Sequence, residues 1–93
     1  MLSQSQISTI LETIKKVNPT YVAVFGSYAR SEQTASSDLD LLFDYEGNIN
    51  LLDIIGVEQD LSESLGIKVD LISRRSLNPH LKDYIQNDLV KLF

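Results

Sequence analysis

Hydrophobic residues recur with two different periods along the chain, and this change of period predicts a mixed α/β fold. Isoleucine, leucine and valine fall at helical spacing between residues 7 and 17. Ser3 and Gln6 fit a capping box at the start of this helix, and Asn18-Pro19 ends it, because the residue before a proline avoids the helical region. A continuous apolar run over residues 21–25 is then typical of a buried strand.

The next segment predicts a turn, a short helix and a second strand. Gly26 breaks the apolar run, and Ser27 is placed to cap a short helix over residues 28–33. The second strand is predicted over residues 38–44, with aspartates on one face and large apolar side chains on the other.

The rest of the chain repeats the alternation of helix and strand. A helix is predicted over residues 51–65, with Gly66 as its C-terminal cap, and a third strand over residues 67–72. Pro79 fits the first turn of a last helix, and the residues after about Asn87 favour a short final strand. These elements predict a mixed sheet of three to four strands flanked by helices.

Size and composition limit the classes of protein to consider. The 93 residues are expected to form a single domain, residues 1–93. No apolar run reaches the roughly 18 residues of a membrane span, there is no basic leader, and cysteine is absent, which together favour the cytoplasm. The net charge is −5, and the eight Lys and Arg residues form no stripe, so we expect no autonomous binding to nucleic acid.

The candidate functional residues lie at the end of the first predicted strand and at the start of the second. Asp38 and Asp40 are two residues apart, so a strand would direct both carboxylates to the same side. Two such carboxylates repel each other unless a cation or a proton lies between them. The Gly26-Ser27 turn would offer backbone N–H groups that suit phosphate. A third carboxylate, Asp70, lies within the third apolar strand. Burying a lone carboxylate is costly, and a metal site shared with the other aspartates would explain why it is there.

The motifs GSYAR (residues 26–30), SDLD (37–40) and VDL (69–71) together resemble the signature of the polymerase beta-like nucleotidyltransferase superfamily. The likeness is greatest to its shortest branch, the minimal nucleotidyltransferases (MNT). It implies an α/β core with the active site at one edge of the sheet. It also implies Mg²⁺-dependent transfer of a nucleoside monophosphate, AMP from ATP in the leading hypothesis.

The resemblance implies a role for each residue of the motifs. Asp38 and Asp40 would hold two Mg²⁺ ions, and Asp70 would complete the site of the ion that activates the attacking hydroxyl. Gly26 would let the backbone approach the phosphates, and Ser27 would hydrogen-bond to them. These five residues and Arg30, as a third phosphate-binding residue, are the predicted catalytic, metal-binding and phosphate-binding set.

Four further positions have alternative interpretations. Arg30 is either a phosphate contact or a structural partner for a carboxylate or a carbonyl. Ser31 stands where the family commonly has glycine, a departure that affects the geometry of the loop. Arg74 and Arg75 follow the third strand and are expected near the same sheet edge as Asp70, most simply as a solvated turn.

The resemblance also implies a partner. The MNT branch pairs with HEPN-domain proteins as an antitoxin that adenylylates a tyrosine of the toxin. The acceptor surface is expected to come from such a protein or from a second copy of the chain, as in a homodimer. Two alternatives are an antitoxin that acts by binding alone, with a silent active site, and a nucleotidyltransferase of the antibiotic-modifying kind that acts on small molecules.

Overall fold

The structure is a computed structural model that describes residues 2–93, apart from the side chain of Tyr84. The described residues form three helices and four strands in this order: α1 Gln4–Ile14, β1 Pro19–Phe25, β2 Leu39–Tyr45, α2 Leu51–Leu65, β3 Val69–Ser73, α3 Pro79–Ile85 and β4 Val90–Lys91. Single 3-10 turns follow α1, β3 and α3.

The four strands form one mixed sheet in the order β3-β2-β1-β4. Strand β1 is antiparallel to both β2 and β4, whereas β2 and β3 are parallel. Parallel neighbours need a crossover connection, and α2 provides it between β2 and β3. The predicted α/β class, the four-stranded alternative and the short final strand are confirmed.

Local capping signals in the sequence define the helix ends. The Ser3 hydroxyl accepts a hydrogen bond from the Gln6 N–H at 3.1 Å, and the Gln6 side chain accepts one from the Ser3 N–H at 2.8 Å. This capping box begins α1 as predicted. Gly66, in the left-handed conformation at φ 66°, ends α2.

The main core lies on one face of the sheet, beneath α1 and α2. Ile10 and Ile14 of α1 and Val57 and Leu61 of α2 are fully buried against this face. The sheet contributes its alternate apolar side chains, which are Val22, Val24, Leu39, Leu41, Phe43, Val69 and Leu71. Strand periodicity therefore directs Asp40 and Asp70 to the opposite face, as the sequence predicts.

A smaller apolar cluster lies on that opposite face. Phe25, Leu42 and Ile85 are buried there, and Ile85 comes from α3. The helix α3 is thus attached beside the aspartates, while most of its other described residues are exposed. Within the described residues, no helix has both the length and the apolar character needed to cross a bilayer.

The predicted helix over residues 28–33 is wrong, because hydrogen-bonded turns occupy residues 26–31 and no regular structure follows at residues 32–33. One α-type bond forms, from the Arg30 N–H to the Gly26 carbonyl at 3.2 Å. Gly26 and Ser31 bracket the segment with left-handed φ angles of 75° and 59°. A single helical bond cannot offset the cost of nucleating a helix, so the chain turns here, and Ser27 caps no helix.

Candidate active site

The parallel pairing of β2 and β3 places Asp40 directly beside Asp70. Both side chains lie on the face that carries α3, and Asp38 lies one residue before β2 begins. The pKa of Asp40 is raised, first by partial burial and then by the negative charges of Asp70 and Asp38. The structure therefore places Asp38 and Asp70 close enough to Asp40 for their charges to act on its carboxylate.

Gly26 closes the site on the other side of Asp40. A Cβ atom built at Gly26 would collide with the Asp40 carboxylate oxygen Oδ2, and φ is +75°. A residue with a side chain would therefore be disfavoured twice, by the left-handed backbone conformation and by the collision. Glycine at this position thus lets the turn lie directly against the carboxylate.

The turn also presents donors for an anion. In the part of the chain that the structure describes, the backbone N–H groups of Ser27, Tyr28 and Ala29 have no protein acceptor. Successive free N–H groups in a turn suit phosphate oxygens. The predicted phosphate-binding role of this segment has its chemical basis in the turn, without a helix.

One cavity of about 430 Å³ joins the turn to the carboxylates. Its lining residues are Phe25, Gly26, Ser27, Arg30, Ser37, Asp38, Asp40, Leu81, Ile85 and Asp88. Five of the six predicted site residues share this cavity. Asp70 lines an adjacent depression with Glu58 and Lys68. A larger groove of about 620 Å³ lies between α1 and Phe93 and contains none of the predicted residues.

Arg30 lines this cavity and also binds carboxylates. Its Nη1 donates to Asp88 Oδ2 at 2.6 Å, and its Nε lies 3.5 Å from Glu32 Oε2. The geometry thus agrees with the predicted structural partnership and leaves the guanidinium beside the predicted phosphate cradle. Asp88 is a site residue that sequence reasoning missed. It is separated from Arg30 by 58 residues, and no local pattern marks it.

The apolar wall of the cavity was also missed. Leu81 and Ile85 are four residues apart on α3, so they lie on the same side of that helix. Leu81 is 52% exposed, whereas Ile85 is buried. Their helical spacing was visible in the sequence, but their location depends on how α3 docks on the sheet.

The donor set suits Mg²⁺ by its chemistry. Within residues 2–93, no three acidic or histidine side chains converge as a complete ligand group for one ion, and Asp38 lies 3.8 Å from Lys68 Nζ. The ligands that Mg²⁺ prefers are carboxylate and water oxygens. A cation between Asp40 and Asp70 would relieve the repulsion that raises the Asp40 pKa.

The predicted position of Arg74 and Arg75 is wrong. Both lie at the other end of β2, where they contact Asp44 at 3.9 and 3.6 Å. Their guanidinium groups stack over Tyr21 and Tyr45 at 4.0 and 4.2 Å from the ring centroids. Asp44 follows Asp40 by four residues, about 13 Å along a strand. Residues after a parallel strand lie at its carboxyl end, far from aspartates at the amino end.

The sequence profile of the family described as "Polymerase beta, Nucleotidyltransferase" matches residues 5–93. A relative from Methanocaldococcus jannaschii, "Putative protein adenylyltransferase MJ1217", is 46% identical. The match covers 97% of this chain and 98% of that protein.

Two solved structures share the fold. One is described as a toxin-antitoxin with AMP-PNP (TM-score 0.84, 21% identity, 94% of this chain and 72% of that chain). The other is a tri-AMPylated HEPN toxin in complex with MNT antitoxin from Shewanella oneidensis (TM-score 0.70, 20% identity, 95% and 71%).

Proposed function

The chain belongs to the polymerase beta nucleotidyltransferase family, and we propose that it transfers AMP from ATP to a HEPN-type protein toxin, for which it is the antitoxin. The observation that carries the proposal is the contact between two elements. Gly26, which begins the turn with the free N–H groups, lies against the Asp40 carboxylate, and Asp40 is the register partner of Asp70 in the parallel strands. A phosphate cradle and a carboxylate pair in contact are the two parts that this chemistry needs.

The residues divide the work between holding the nucleotide and holding cations. The Gly26-Ser27 turn and Arg30 bind phosphate oxygens, and they orient the α-phosphorus towards the aspartates. Asp38 and Asp40 would hold two Mg²⁺ ions, and Asp70 would complete the site of the ion beside the attacking hydroxyl and accept the proton of that hydroxyl. When bound, the ions supply positive charge to the oxygens around phosphorus. These assignments follow the motif residue by residue.

The identity of the acceptor is supported by the relatives. The M. jannaschii relative is named for adenylylation of protein. The S. oneidensis complex contains an AMPylated HEPN toxin. A hydroxyl on such a partner, presented at the open cavity beside Asp40, is the nucleophile in this proposal. We place the reaction in the cytoplasm, where ATP and Mg²⁺ are available.

The test uses two aspartates of the same strand. The product of the neighbouring gene, as the candidate HEPN toxin, is incubated with this chain, ATP and Mg²⁺, and the mass of that product is measured. We expect the partner to gain one or more AMP units. Asp40→Asn should abolish the gain, while Asp44→Asn should retain it, because Asp44 is on the same face but pairs with Arg75 at the far end of β2. Transfer that survives Asp40→Asn would reject the proposed metal site.

The same variant separates this proposal from silent neutralisation. An antitoxin that acts by binding alone would neutralise its partner equally well with Asp40→Asn in place. The proposal expects that variant to bind the toxin without restoring growth to cells that express it. A small-molecule acceptor would instead give AMP transfer to the small molecule in the absence of any protein partner.

A further inference from the structure

Asp88 brings a third carboxylate into the cavity that contains Asp38 and Asp40. Its Oδ2 accepts a hydrogen bond from Arg30 Nη1 at 2.6 Å. The Asp88 side chain is 21% exposed and that of Arg30 is 41% exposed, so the pair is partly shielded from water. Charge-assisted hydrogen bonds of this length are among the stronger polar contacts in proteins.

This ion pair conflicts with the charge that the cavity is proposed to receive. Arg30 is the only Lys or Arg among the described lining residues, which also include three aspartates. A nucleoside triphosphate needs the guanidinium as a hydrogen-bond donor, and it is repelled by a carboxylate beside it. The Asp88 carboxylate accepts the hydrogen bond from Arg30 that a phosphate oxygen would otherwise accept.

We propose that Asp88 sets the affinity for nucleotide by competing with the triphosphate for Arg30. In the free protein, the carboxylate binds the guanidinium, and on binding, a phosphate oxygen of the triphosphate replaces it. Asp88 is thus a positioning residue, and it acts through Arg30. The inference rests on the proposed function, because it assumes that the cavity binds a nucleoside triphosphate.

The surrounding structure favours a local exchange. Asp88 ends the 3-10 turn Gln86–Asp88, and strand β4 follows it after one residue. Strand β4 pairs with Ala23 and Val24 of β1, and β1 leads directly into the Gly26 turn. Both partners of the ion pair are therefore fixed to the same strand, and only side chains need to move.

Glu32 provides a matched control. It also contacts Arg30, but at 3.5 Å, with a 64% exposed side chain and outside the lining of the cavity. Glu32→Gln and Asp88→Asn change the net charge equally and remove a carboxylate from the same guanidinium. Only the second removes the competitor for phosphate. A difference between them therefore reports on the location of the carboxylate, separately from general electrostatics.

The experiment is calorimetric titration of each variant with AMP-PNP in the presence of Mg²⁺. We expect Asp88→Asn to bind about fivefold more tightly than the natural chain, the scale for loss of a partly exposed ion pair, and Glu32→Gln to differ by less than about twofold. In an Arg30→Gln background, the effect of Asp88→Asn should disappear. AMP, which lacks the β- and γ-phosphates, should show a smaller gain than AMP-PNP.

Unchanged or weaker binding by Asp88→Asn would overturn the inference, and so would an equal gain for Glu32→Gln. If AMP-PNP binds the natural chain but the variants do not differ, only this inference fails. If AMP-PNP does not bind the natural chain at all, the proposed function fails and the inference fails with it. Thermal unfolding by circular dichroism checks each variant, and Asp88→Ser replaces Asp88→Asn if the latter does not fold.

Discussion

Gly26→Ala perturbs the contact on which the site depends. The added methyl group would collide with Asp40 Oδ2 in a backbone of φ +75°. A left-handed conformation costs an L-residue about 1–2 kcal/mol, and forced overpacking adds about 1–3 kcal/mol. The free energy of unfolding should therefore fall by about 2–5 kcal/mol, and AMP-PNP affinity should fall at least about tenfold as Asp40 moves.

Gly47→Ala measures the free-energy cost of the left-handed backbone alone, without a collision. Gly47 has a φ of +79°, and a Cβ atom there would meet nothing within 4 Å. This variant should lose only the backbone contribution of about 1–2 kcal/mol, and it should bind AMP-PNP normally. For a domain of this size, each kcal/mol lowers Tm by about 4–8 °C, so the two variants should separate in a thermal melt.

The assay combines urea unfolding with AMP-PNP titration for the natural chain and both variants. Equal losses of stability in Gly26→Ala and Gly47→Ala, with nucleotide affinity unchanged in both, would refute the reasoning. That result would mean that the Gly26 turn is free to move away from Asp40. The close approach of the turn to the carboxylate would then have no part in binding.

Two further predictions concern single side chains. The pKa of Asp40 is raised in the folded state. Between the ordinary and the raised pKa, the folded state therefore binds more protons than the unfolded state. Above both values, the ionised Asp40 carboxylate lowers the free energy of unfolding. In EDTA, Asp40→Asn should raise Tm at pH 7, with a gain that shrinks as the pH falls from the raised pKa towards the ordinary value of about 4; a lower Tm at pH 7 would contradict this. Ser31→Gly should raise the free energy of unfolding by about 0.5–1 kcal/mol in urea titrations, because Ser31 holds φ +59°. Ser36→Gly, a nearby exposed position outside the left-handed region, should be neutral or destabilising, and equal gains from the two would contradict the explanation.

Local patterns were sufficient to predict much of this fold. The capping box at Ser3 and the cap at Gly66 depend on neighbours a few residues away, and both are confirmed. The alternation along β2 was also sufficient to assign the face of Asp40. In each case, the relevant contacts are between residues that are close in sequence, so a local sequence pattern is enough to predict them.

The errors and omissions have a different cause. Arg74 lies away from the predicted position because it follows the carboxyl end of β3, whereas Asp70 is the second residue of that strand, four positions earlier. Asp88 reaches Arg30 across 58 residues, and its place depends on how α3 and β4 pack. The turn after Gly26 was read as a helix because its polar residues resemble a capped first turn, whereas its left-handed ends prevent one.

Nucleotidyl transfer at Asp38, Asp40 and Asp70 is tested most directly by measuring which phosphate of ATP is transferred to the partner. The purified chain and the proposed HEPN partner are incubated with Mg²⁺ and ATP labelled on either the α- or the γ-phosphate. We expect the α-label to be transferred to the partner and the γ-label to leave with pyrophosphate. Transfer should be lost in Asp40→Asn and kept in Asp44→Asn. Transfer of the γ-label, or no label on a partner that nonetheless binds tightly, would contradict a nucleotidyl transfer at these aspartates.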